Sequence, residues 1–422
     1  MKQNTPESSK RTPRMIAMSV LIVLAMFVGA GLDRIMVDVG TASDRLSGAS
    51  NYEIIGETYD LIRENYVLQA DFTDEELVWG AAWGMVESLG DTGHSRFMNP
   101  EEAVAYEQNS NNELIGIGVS VDITGEYPLI NYPMKNSPAM DAGILPGDIL
   151  LEVDGVDLTG MDPSEALDLV TGEEGTDVTL VLLHAGEEEP YEVTITRARI
   201  ELDPVQYAML PNNTLWLRLE QFSSGASTRV VEGLQWGKEQ GMTSVILDLR
   251  GNPGGFVIEA MGVVGQFVPA GTPVFQEADM DGVSRTVSTV GNNGLWLEGP
   301  LVVLVDGNSA SSSEMTSSAI MESGRAELVG ETTSGTGTVL LPFDLSDGSV
   351  VMIGYQLFLT GQGTDIYHVG VKPTHNVVFS AEPMARPWFP AMLSIDQGSM
   401  DETAFAELED PQLHFAFDLL HN

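Results

Sequence analysis

A short segment that starts at residue 301 places the strongest constraint on the fold. It opens with five consecutive apolar residues, Leu301 to Val305, which Asp306 and Gly307 end. An apolar run of this length between turn residues predicts a strand buried on both faces of a sheet. A serine cluster, Ser309 to Ser313, follows, and then a predicted helix over 314–322. The serines therefore occupy a tight turn from a buried strand into a helix.

A serine at the start of a helix can act as a nucleophile. Unpaired N–H groups and the helix dipole at that end favour developing negative charge. An attacking serine creates such a charge on the carbonyl oxygen of its substrate. The simpler interpretation is that these serines only cap the helix, as serines in turns commonly do. The segment alone does not decide between the two interpretations.

The composition excludes several classes of function. With 422 residues and 43% apolar residues, the chain is long enough for two or three domains with real cores. It has no cysteine, which excludes disulfides, thiol nucleophiles and thiolate metal sites. A formal net charge of −43 argues against nucleic acid as a partner. We find no His-Glu-x-x-His motif and no clustered ligands, so we expect no metal and no organic cofactor.

The N-terminal residues predict a membrane anchor. Residues 1–14 are polar and basic, and the 18 residues from Met15 to Leu32 are uncharged and mostly apolar. As a helix this stretch would be about 27 Å long, close to the thickness of a bilayer core. Basic residues before it, with Asp33 and Asp38 after it, predict a cytoplasmic N-terminus and a body outside the membrane. A cleaved signal peptide is the competing interpretation, but no clear Ala-x-Ala site follows the stretch.

Four further regions follow a predicted linker at 33–50. Apolar residues at helical spacing predict a helical region over 51–110, and short strands with turns fill 111–200. Strands and helices alternate over 201–390, which predicts a layered α/β core. A last helical segment is expected at 391–422.

The region of short strands resembles a PDZ domain. The resemblance rests on Ala142-Gly143, on Pro146-Gly147-Asp148-Ile149-Leu150 and on Val153-Asp154-Gly155. It implies that an extended peptide is bound as an added strand, with its terminal carboxylate held by backbone N–H groups of a glycine-containing loop. The alternative is a PDZ fold used only for packing or dimer contacts. By the motif match, the peptide-binding loop consists of Ile115, Gly116, Ile117, Gly118 and Val119.

Three elements in chain order resemble one peptidase family. They are the PDZ region, the segment Leu247 to Gly255 (LDLRGNPGG) and the segment Asn308 to Glu314 (NSASSSE). Together they are similar to the carboxyl-terminal processing, or tail-specific, serine peptidases over roughly Tyr52 to Leu420. This resemblance implies a multidomain α/β and α+β protein with a crotonase-like βαβ peptidase core. It also implies a bacterial, membrane-associated or periplasmic peptidase that cuts near protein C-termini.

The resemblance assigns the nucleophile and the oxyanion hole. The nucleophile is Ser311, and Ser309 and Ser313 are its structural neighbours. The oxyanion hole consists of the backbone N–H of Ser312 and one from Gly254 or Gly255.

The general base departs from the family pattern. The lysine of the family falls on Thr336, and the glutamine that supports it falls on Leu340. A buried lysine can be neutral near pH 7 and accept a serine proton, whereas a threonine hydroxyl cannot because its pKa is far too high. No nearby lysine replaces it, since Lys372 is the only one after Lys238.

Histidine is the natural substitute, because its unperturbed pKa is about 6.5. A related branch of the family lacks the lysine and uses a histidine from the N-terminal helical region. The sequence Asp91-Thr92-Gly93-His94-Ser95 is similar to that motif, so we expect His94 to be the base and His368 to be the second choice. Lysine-bearing members carry a similar Asp-Pro-His-Ser, so the alternative is that His94 only packs this turn.

We therefore expect a single-pass cell-membrane serine peptidase whose extracytoplasmic PDZ domain recruits unstructured C-terminal tails. The alternative is a peptide-binding protein on the same fold that has lost catalysis. A small-molecule enzyme on the crotonase-like core is a third interpretation. The expected partners are protein substrates with exposed tails, and a homo-oligomer is compatible with the sequence. A competent site requires His94 Nε2 or His368 within hydrogen-bond reach of Ser311 Oγ, directly or through one water.

Overall fold

The computed structural model describes residues 53–68, 72–91, 94–123, 127–134, 136–184, 186–187, 189–279, 282–291, 294–379 and 398–422. The predicted basic tail, the predicted anchor at 15–32 and the predicted linker lie outside these residues. Among the residues that are described, no helix is both long enough and apolar enough to cross a membrane. The chain divides into two compact units, Met1–Ala82 and Trp83–Asn422.

The predicted helical region contains a strand as well as helices. Its elements are α1 (Glu53–Asn65), α2 (Asp74–Glu87), β1 (Arg96–Met98) and α3 (Pro100–Ser110). Helix α3 starts with a capping box, in which the side chains of Asn99 and Glu102 accept hydrogen bonds from each other's backbone N–H groups. The sequence carries no signal for β1, because three residues are too few to show a strand period.

The PDZ-like region forms an antiparallel sheet with the strand order β3-β4-β5-β7-β8, and β6 pairs with β5. Strands β2 and β9 form a separate pair. Along β7 the alternate residues Val178, Leu180 and Leu182 are buried in the core of this region. The elements are β2 (Glu113–Gly116), β3 (Val119–Asp122), β4 (Leu129–Pro133), α4 (Pro138–Asp141), β5 (Ile149–Val153), β6 (Val156–Asp157), α5 (Pro163–Val170), β7 (Asp177–Leu183), β8 (Tyr191–Thr196) and β9 (Ala198–Glu201).

The core region contains a six-stranded sheet with the order β10-β11-β12-β15-β16-β19, in which every pair after β10–β11 is parallel. A second sheet has the order β1-β18-β13-β14, with β17 beside β18. The elements are β10 (Val205–Leu210), β11 (Thr214–Leu219), α6 (Ala226–Glu239), β12 (Ser244–Asp248), α7 (Val257–Phe267), β13 (Pro273–Asp279), β14 (Gly282–Ser288), β15 (Leu301–Val305), α8 (Ser312–Glu322), β16 (Glu327–Gly330), β17 (Thr338–Asp344), β18 (Val350–Thr360), β19 (His375–Asn376), α9 (Glu402–Ala406) and α10 (Pro411–His421).

Both faces of the six-stranded sheet are buried, which explains the unbroken apolar run in β15. Val303 and Val305 belong to the cluster that includes residues of α6, α7 and α8. Val302 and Leu304 belong to the opposite cluster, which includes residues of α9 and α10. Because β12 and β15 are parallel neighbours, the loops that follow them leave the same edge of the sheet. The fold thus brings the glycine loop at 250–255 beside the serine turn at 309–313.

A buried charge network ties this glycine loop to α10. Arg250, Asp248 and Asp410 each have side chains with no exposed surface. The Arg250 guanidinium donates to Asp248 Oδ2 at 2.6 Å, to both Asp410 oxygens at 3.0 and 2.9 Å, and to Gln412 Oε1 at 3.0 Å. Burial alone would raise the pKa of Asp248, but Arg250 outweighs burial and the pKa falls to about 2.

Candidate active site

The turn between β15 and α8 holds Ser311 in a strained backbone conformation. Ser311 is the N-cap of α8, with φ 51° and ψ −113°. A non-glycine residue at positive φ costs roughly 1–3 kcal/mol, so the surrounding contacts must maintain it. One such contact comes from Ser309, whose hydroxyl donates to Leu249 O at 2.8 Å and accepts from Asp306 N at 2.9 Å.

The hydroxyl of Ser311 is the available one in the serine cluster. Ser309, Ser312 and Ser313 are completely buried. The hydroxyls of Ser312 and Ser313 donate to the carbonyls of Gly255 at 2.8 Å and Asn252 at 2.9 Å. Ser311 is half-buried, and its hydroxyl donates no hydrogen bond to any residue that the structure describes. These contacts favour Ser311 over its neighbours as the nucleophile.

The glycine loop after β12 lies directly against the serine turn. A methyl group at Gly254 would lie 2.7 Å from Ser311 Cβ and 3.0 Å from Ser312 N, so only glycine permits this approach. The N–H of Gly254 donates to Asn252 Oδ1 at 2.9 Å. Gly255 is exposed, and across the described ranges neither its N–H nor that of Ser312 donates a hydrogen bond. Among the described residues, the N–H groups of Gly255 and Ser312 thus remain open in the two segments that meet at Ser311.

A buried carboxylate, Glu314, organises the other side of the turn. Its Oε1 accepts from the Thr333 hydroxyl at 2.6 Å and from Gly335 N at 2.7 Å. Its Oε2 accepts from Ser311 N at 2.9 Å, from Thr336 N at 3.0 Å and from the Thr336 hydroxyl. Five donors thus satisfy a charge that would otherwise be costly to bury.

Thr336 and Leu340 have roles that are clear from their contacts. The Thr336 hydroxyl accepts from Ser311 N at 2.6 Å and donates to Glu314, so it positions the nucleophile turn. Leu340 lies on β17 opposite Gly354 of β18, and its aliphatic side chain can neither donate nor accept a proton. Neither side chain can serve as a general base.

His94 lies on the turn before β1, within electrostatic reach of the serine turn. Burial lowers the pKa of His94 below its ordinary value of 6.5, and His368 adds to the decrease. Asp91 and Glu314 act in the opposite direction but do not overcome burial. His94 is therefore a neutral proton acceptor at pH 7. Its interactions with Glu314 and His368 show that these groups share one region.

His368 reaches the same region from the segment after β18. The side chain is exposed, the backbone φ is 57°, and the backbone N–H donates to Gly335 O at 2.8 Å. Among the described residues, neither His368 nor His94 forms a hydrogen bond with the Ser311 hydroxyl. A direct bond, which is one of the two arrangements that we expected for a competent site, is therefore not formed in this structure. Catalytic hydrogen bonds in ligand-free enzymes are often long and shorten only in the substrate complex.

The predicted peptide-binding loop joins β2 to β3. Ile115 and Gly116 end β2, Ile117 and Gly118 form the link, and Val119 starts β3. The carbonyls of Ile117 and Gly118 accept from Ala139 N at 2.8 Å and Met134 N at 2.9 Å, so the loop is fixed to the rest of the sheet. Strand β3 lies at the end of the sheet order, where an added strand can pair with it.

Two site residues had no assigned role in the sequence analysis. Glu314 lies three residues after Ser311, and this spacing is that of a capping box, which is a usable local signal. Tyr367 donates its hydroxyl to Asp91 Oδ1 at 3.0 Å across 276 positions, and no local pattern indicates that contact. Among the described residues, no group of three or more His, Asp or Glu side chains could hold a metal ion.

Known proteins similar to this chain agree on one family. The model of peptidase family S41 matches residues 213–377, and that of a PDZ domain matches residues 129–183. The carboxy-terminal processing protease CtpA of Bacillus subtilis (strain 168) is 33% identical over 327 residues, which cover 78% of this chain and 69% of that protein. This chain belongs to peptidase family S41. It is a serine peptidase of the carboxyl-terminal processing group.

A second relative and one solved structure are also similar to this chain. The carboxyl-terminal-processing protease of Synechocystis sp. is 33% identical over 334 residues, covering 76% of this chain and 77% of that one. The crystal structure of a putative S41 protease from Bacteroides fragilis has a TM-score of 0.55 and 17% identity, and it covers 86% of this chain and 96% of that one. At that identity the structural match concerns the fold alone. The multidomain α/β fold of this S41 peptidase, with its PDZ domain and N-terminal helices, is thus as expected.

Proposed function

We propose that this S41 peptidase cleaves unstructured protein C-termini that its PDZ domain recruits, with Ser311 as nucleophile and His94 as general base. One observation carries the proposal. The Ser311 hydroxyl, which donates to no described residue, stands at the start of α8 next to the segments that carry the open N–H groups of Ser312 and Gly255. Similar proteins that are named carboxy-terminal processing proteases support the choice of substrate.

In the proposed reaction, His94 carries a proton between Ser311, the leaving amine and water. His94 takes the hydroxyl proton as Ser311 Oγ bonds to the carbonyl carbon, and the carbonyl π electrons move to oxygen. The N–H groups of Ser312 and Gly255 stabilise that oxyanion, and each such donor is typically worth about 10²–10³ in rate. Protonated His94 then gives its proton to the leaving amine, and the C–N bond breaks. Water activated by His94 hydrolyses the acyl-enzyme by the same two steps.

Thr336 replaces the lysine of the family in this proposal. Its hydroxyl bridges the Ser311 N–H and Glu314, so its contacts suit a positioning role in the turn. The negative charges of Glu314 and Asp91 favour the imidazolium that His94 becomes during attack. Recruitment is assigned to the loop 115–119 and the free edge of β3, by addition of the tail as a further strand.

Cleavage and binding of a tail can be measured separately. The full-length chain in detergent is mixed with an unfolded protein that carries a C-terminal tag. We expect the wild-type protein to remove the tag. In Ser311→Ala, kcat should fall by a factor on the order of 10⁴–10⁶, because the nucleophile is gone. Tail affinity should be unchanged in that variant.

The matched control for this experiment is Ser323→Ala, at the other end of the same helix. That variant should cleave like wild type. If wild type binds the tail but does not cleave it at any pH or salt concentration, the chain is a binding protein and the proposed activity is wrong. Equal cleavage by Ser311→Ala and wild type would instead exclude Ser311 as the nucleophile.

The proposal also includes an anchor at Met15–Leu32 that holds the body outside the cytoplasm. The support is the uncharged apolar stretch with basic residues before it. We expect the protein in the membrane fraction, with a C-terminal tag that external protease removes from spheroplasts and an N-terminal tag that stays protected. A soluble product whose mass starts after the apolar stretch would show a cleaved signal peptide instead.

A further inference from the structure

The carboxylate of Asp91 is fixed by donors from two distant segments. Its Oδ2 accepts from Ser95 N at 3.0 Å and from the Ser95 hydroxyl. Its Oδ1 accepts from the Tyr367 hydroxyl at 3.0 Å. The Ser95 hydroxyl in turn accepts from Gly354 N at 2.9 Å. Asp91 is therefore anchored both to its own turn and to the core sheet.

The fixed carboxylate faces the imidazole of His94. Asp91 Oδ1 lies 3.7 Å from His94 Nδ1, and both side chains are mostly buried. His94 Nδ1 is a buried atom without a hydrogen-bond partner in the described part of the chain. The other groups that act on His94 electrostatically are Glu314 and His368. A small movement would let Asp91 accept a hydrogen bond from the Nδ1–H group, and the Nε2 atom would then be the free proton acceptor.

We propose that Asp91 is the positioning residue for His94: it holds the imidazole with Nδ1 protonated and Nε2 free to act on Ser311. The inference rests on the proposed role of His94 as general base. When Ser311 loses its proton to Nε2, the charge of Asp91 stabilises the imidazolium. The Nδ1 proton stays on His94, and Asp91 takes none.

Two features argue against a purely local role of Asp91 in its turn. A role in the turn alone needs only the bonds to Ser95, whereas the bond from Tyr367 fixes the oxygen that faces His94. Burial and the bond to Asp91 raise the pKa of Tyr367, so its hydroxyl keeps its proton. In addition, a methyl group at Gly354 would lie 3.3 Å from Asp91 Oδ2, so the absence of a side chain there leaves room for the carboxylate.

The first test is the steady-state kinetics of Asp91→Asn in the full-length chain. We expect kcat to fall by on the order of 10²–10⁴ with little change in KM, because the amide no longer fixes the correct tautomer. The acid limb of the pH profile should move to lower pH, since removal of the charge lowers the pKa of His94. Asp91→Glu should restore part of kcat. Tyr367→Phe should lower kcat by roughly threefold to tenfold.

A matched control is Asp365→Asn. Asp365 accepts from Tyr367 N at 3.0 Å and is exposed, so it belongs to the same segment without facing His94. This variant should keep the wild-type kcat and pH profile. If Asp91→Asn also keeps both while His94→Ala is inactive, the role of Asp91 is overturned and the proposed function stands.

The second test does not depend on activity. In a Ser311→Ala chain with isotope-labelled histidine, NMR titration follows His94, whose signal is identified by its loss in His94→Gln. Adding Asp91→Asn should lower the His94 pKa, whereas adding Asp365→Asn should not. An unchanged His94 pKa overturns the inference. If His94→Ala keeps wild-type activity, the proposed base is wrong, and the titration still decides whether Asp91 acts on His94.

Discussion

Replacing His94 with alanine is expected to lower kcat by on the order of 10⁴–10⁶, about as much as replacing Ser311 itself. The reason is that the residues at the positions of the family's lysine and glutamine cannot replace His94 as the general base. The Thr336 hydroxyl is bonded to Ser311 N and Glu314, and Leu340 is aliphatic. The measurement is steady-state cleavage of the tagged, unfolded substrate by the full-length chain near pH 7.5.

Two further observations make the His94 prediction specific. The double variant Ser311→Ala/His94→Ala should be no slower than either single variant, because residues that act as a unit are not additive. In wild type, the acid limb of kcat/KM should have its midpoint below 6.5, because burial lowers the pKa of His94 and the neutral form is the active one. In His368→Ala, kcat should fall by less than about tenfold. If kcat instead falls more in His368→Ala than in His94→Ala, His368 is the base.

Replacing Arg250 with alanine is expected to reduce the free energy of unfolding by on the order of 3–5 kcal/mol. The change leaves Asp248 and Asp410 completely buried without their counter-charge. Urea unfolding at pH 7.5 measures the loss. At pH 5 the loss should be smaller, because burial without Arg250 raises the pKa of Asp248 and protonation removes its charge. In wild type the pKa of Asp248 is about 2, so its ion pair is lost only as the pH falls through that value.

The matched control is Arg229→Ala. Arg229 also pairs with two carboxylates, Asp203 and Glu232, but all three side chains are partly exposed. Exposed pairs contribute at most about 1 kcal/mol, so this variant should unfold close to wild type. Equal losses in the two arginine variants would show that burial does not determine the effect.

The strands of the core were predictable where the chain carries its own signal. The apolar run at Leu301–Val305 coincides with β15. Helix α7 was not predicted, because it is apolar around much of its circumference and lacks a clear helical stripe. The hairpin of β13 and β14 was also missed. Its second strand mixes polar and apolar residues, and its pairing with β18 depends on distant sequence.

The residues of the candidate site were likewise predictable only where a short sequence motif marks them. The serine turn, the glycine loop and the position of Thr336 follow from short motifs, so their residues could be named. We could not predict which serine hydroxyl of the turn lacks a carbonyl acceptor, because these acceptors belong to another loop. The occupation of the Gly254 N–H by Asn252 is likewise visible only in three dimensions. Contacts such as the one from Tyr367 to Asp91 exist only once the fold has formed.

The loop at 250–255 serves two purposes within six residues. At one end Arg250 bonds to α10, and at the other end Gly255 presents an open N–H beside Ser311. Arg250 variants that still fold should therefore also lose kcat. Because only four residues separate the two ends, loss of the α10 contact should also displace the Gly255 N–H that we propose as an oxyanion donor. A copy of this peptidase that has not yet docked its last helix should therefore lack one of its proposed oxyanion donors, and we expect it not to cleave.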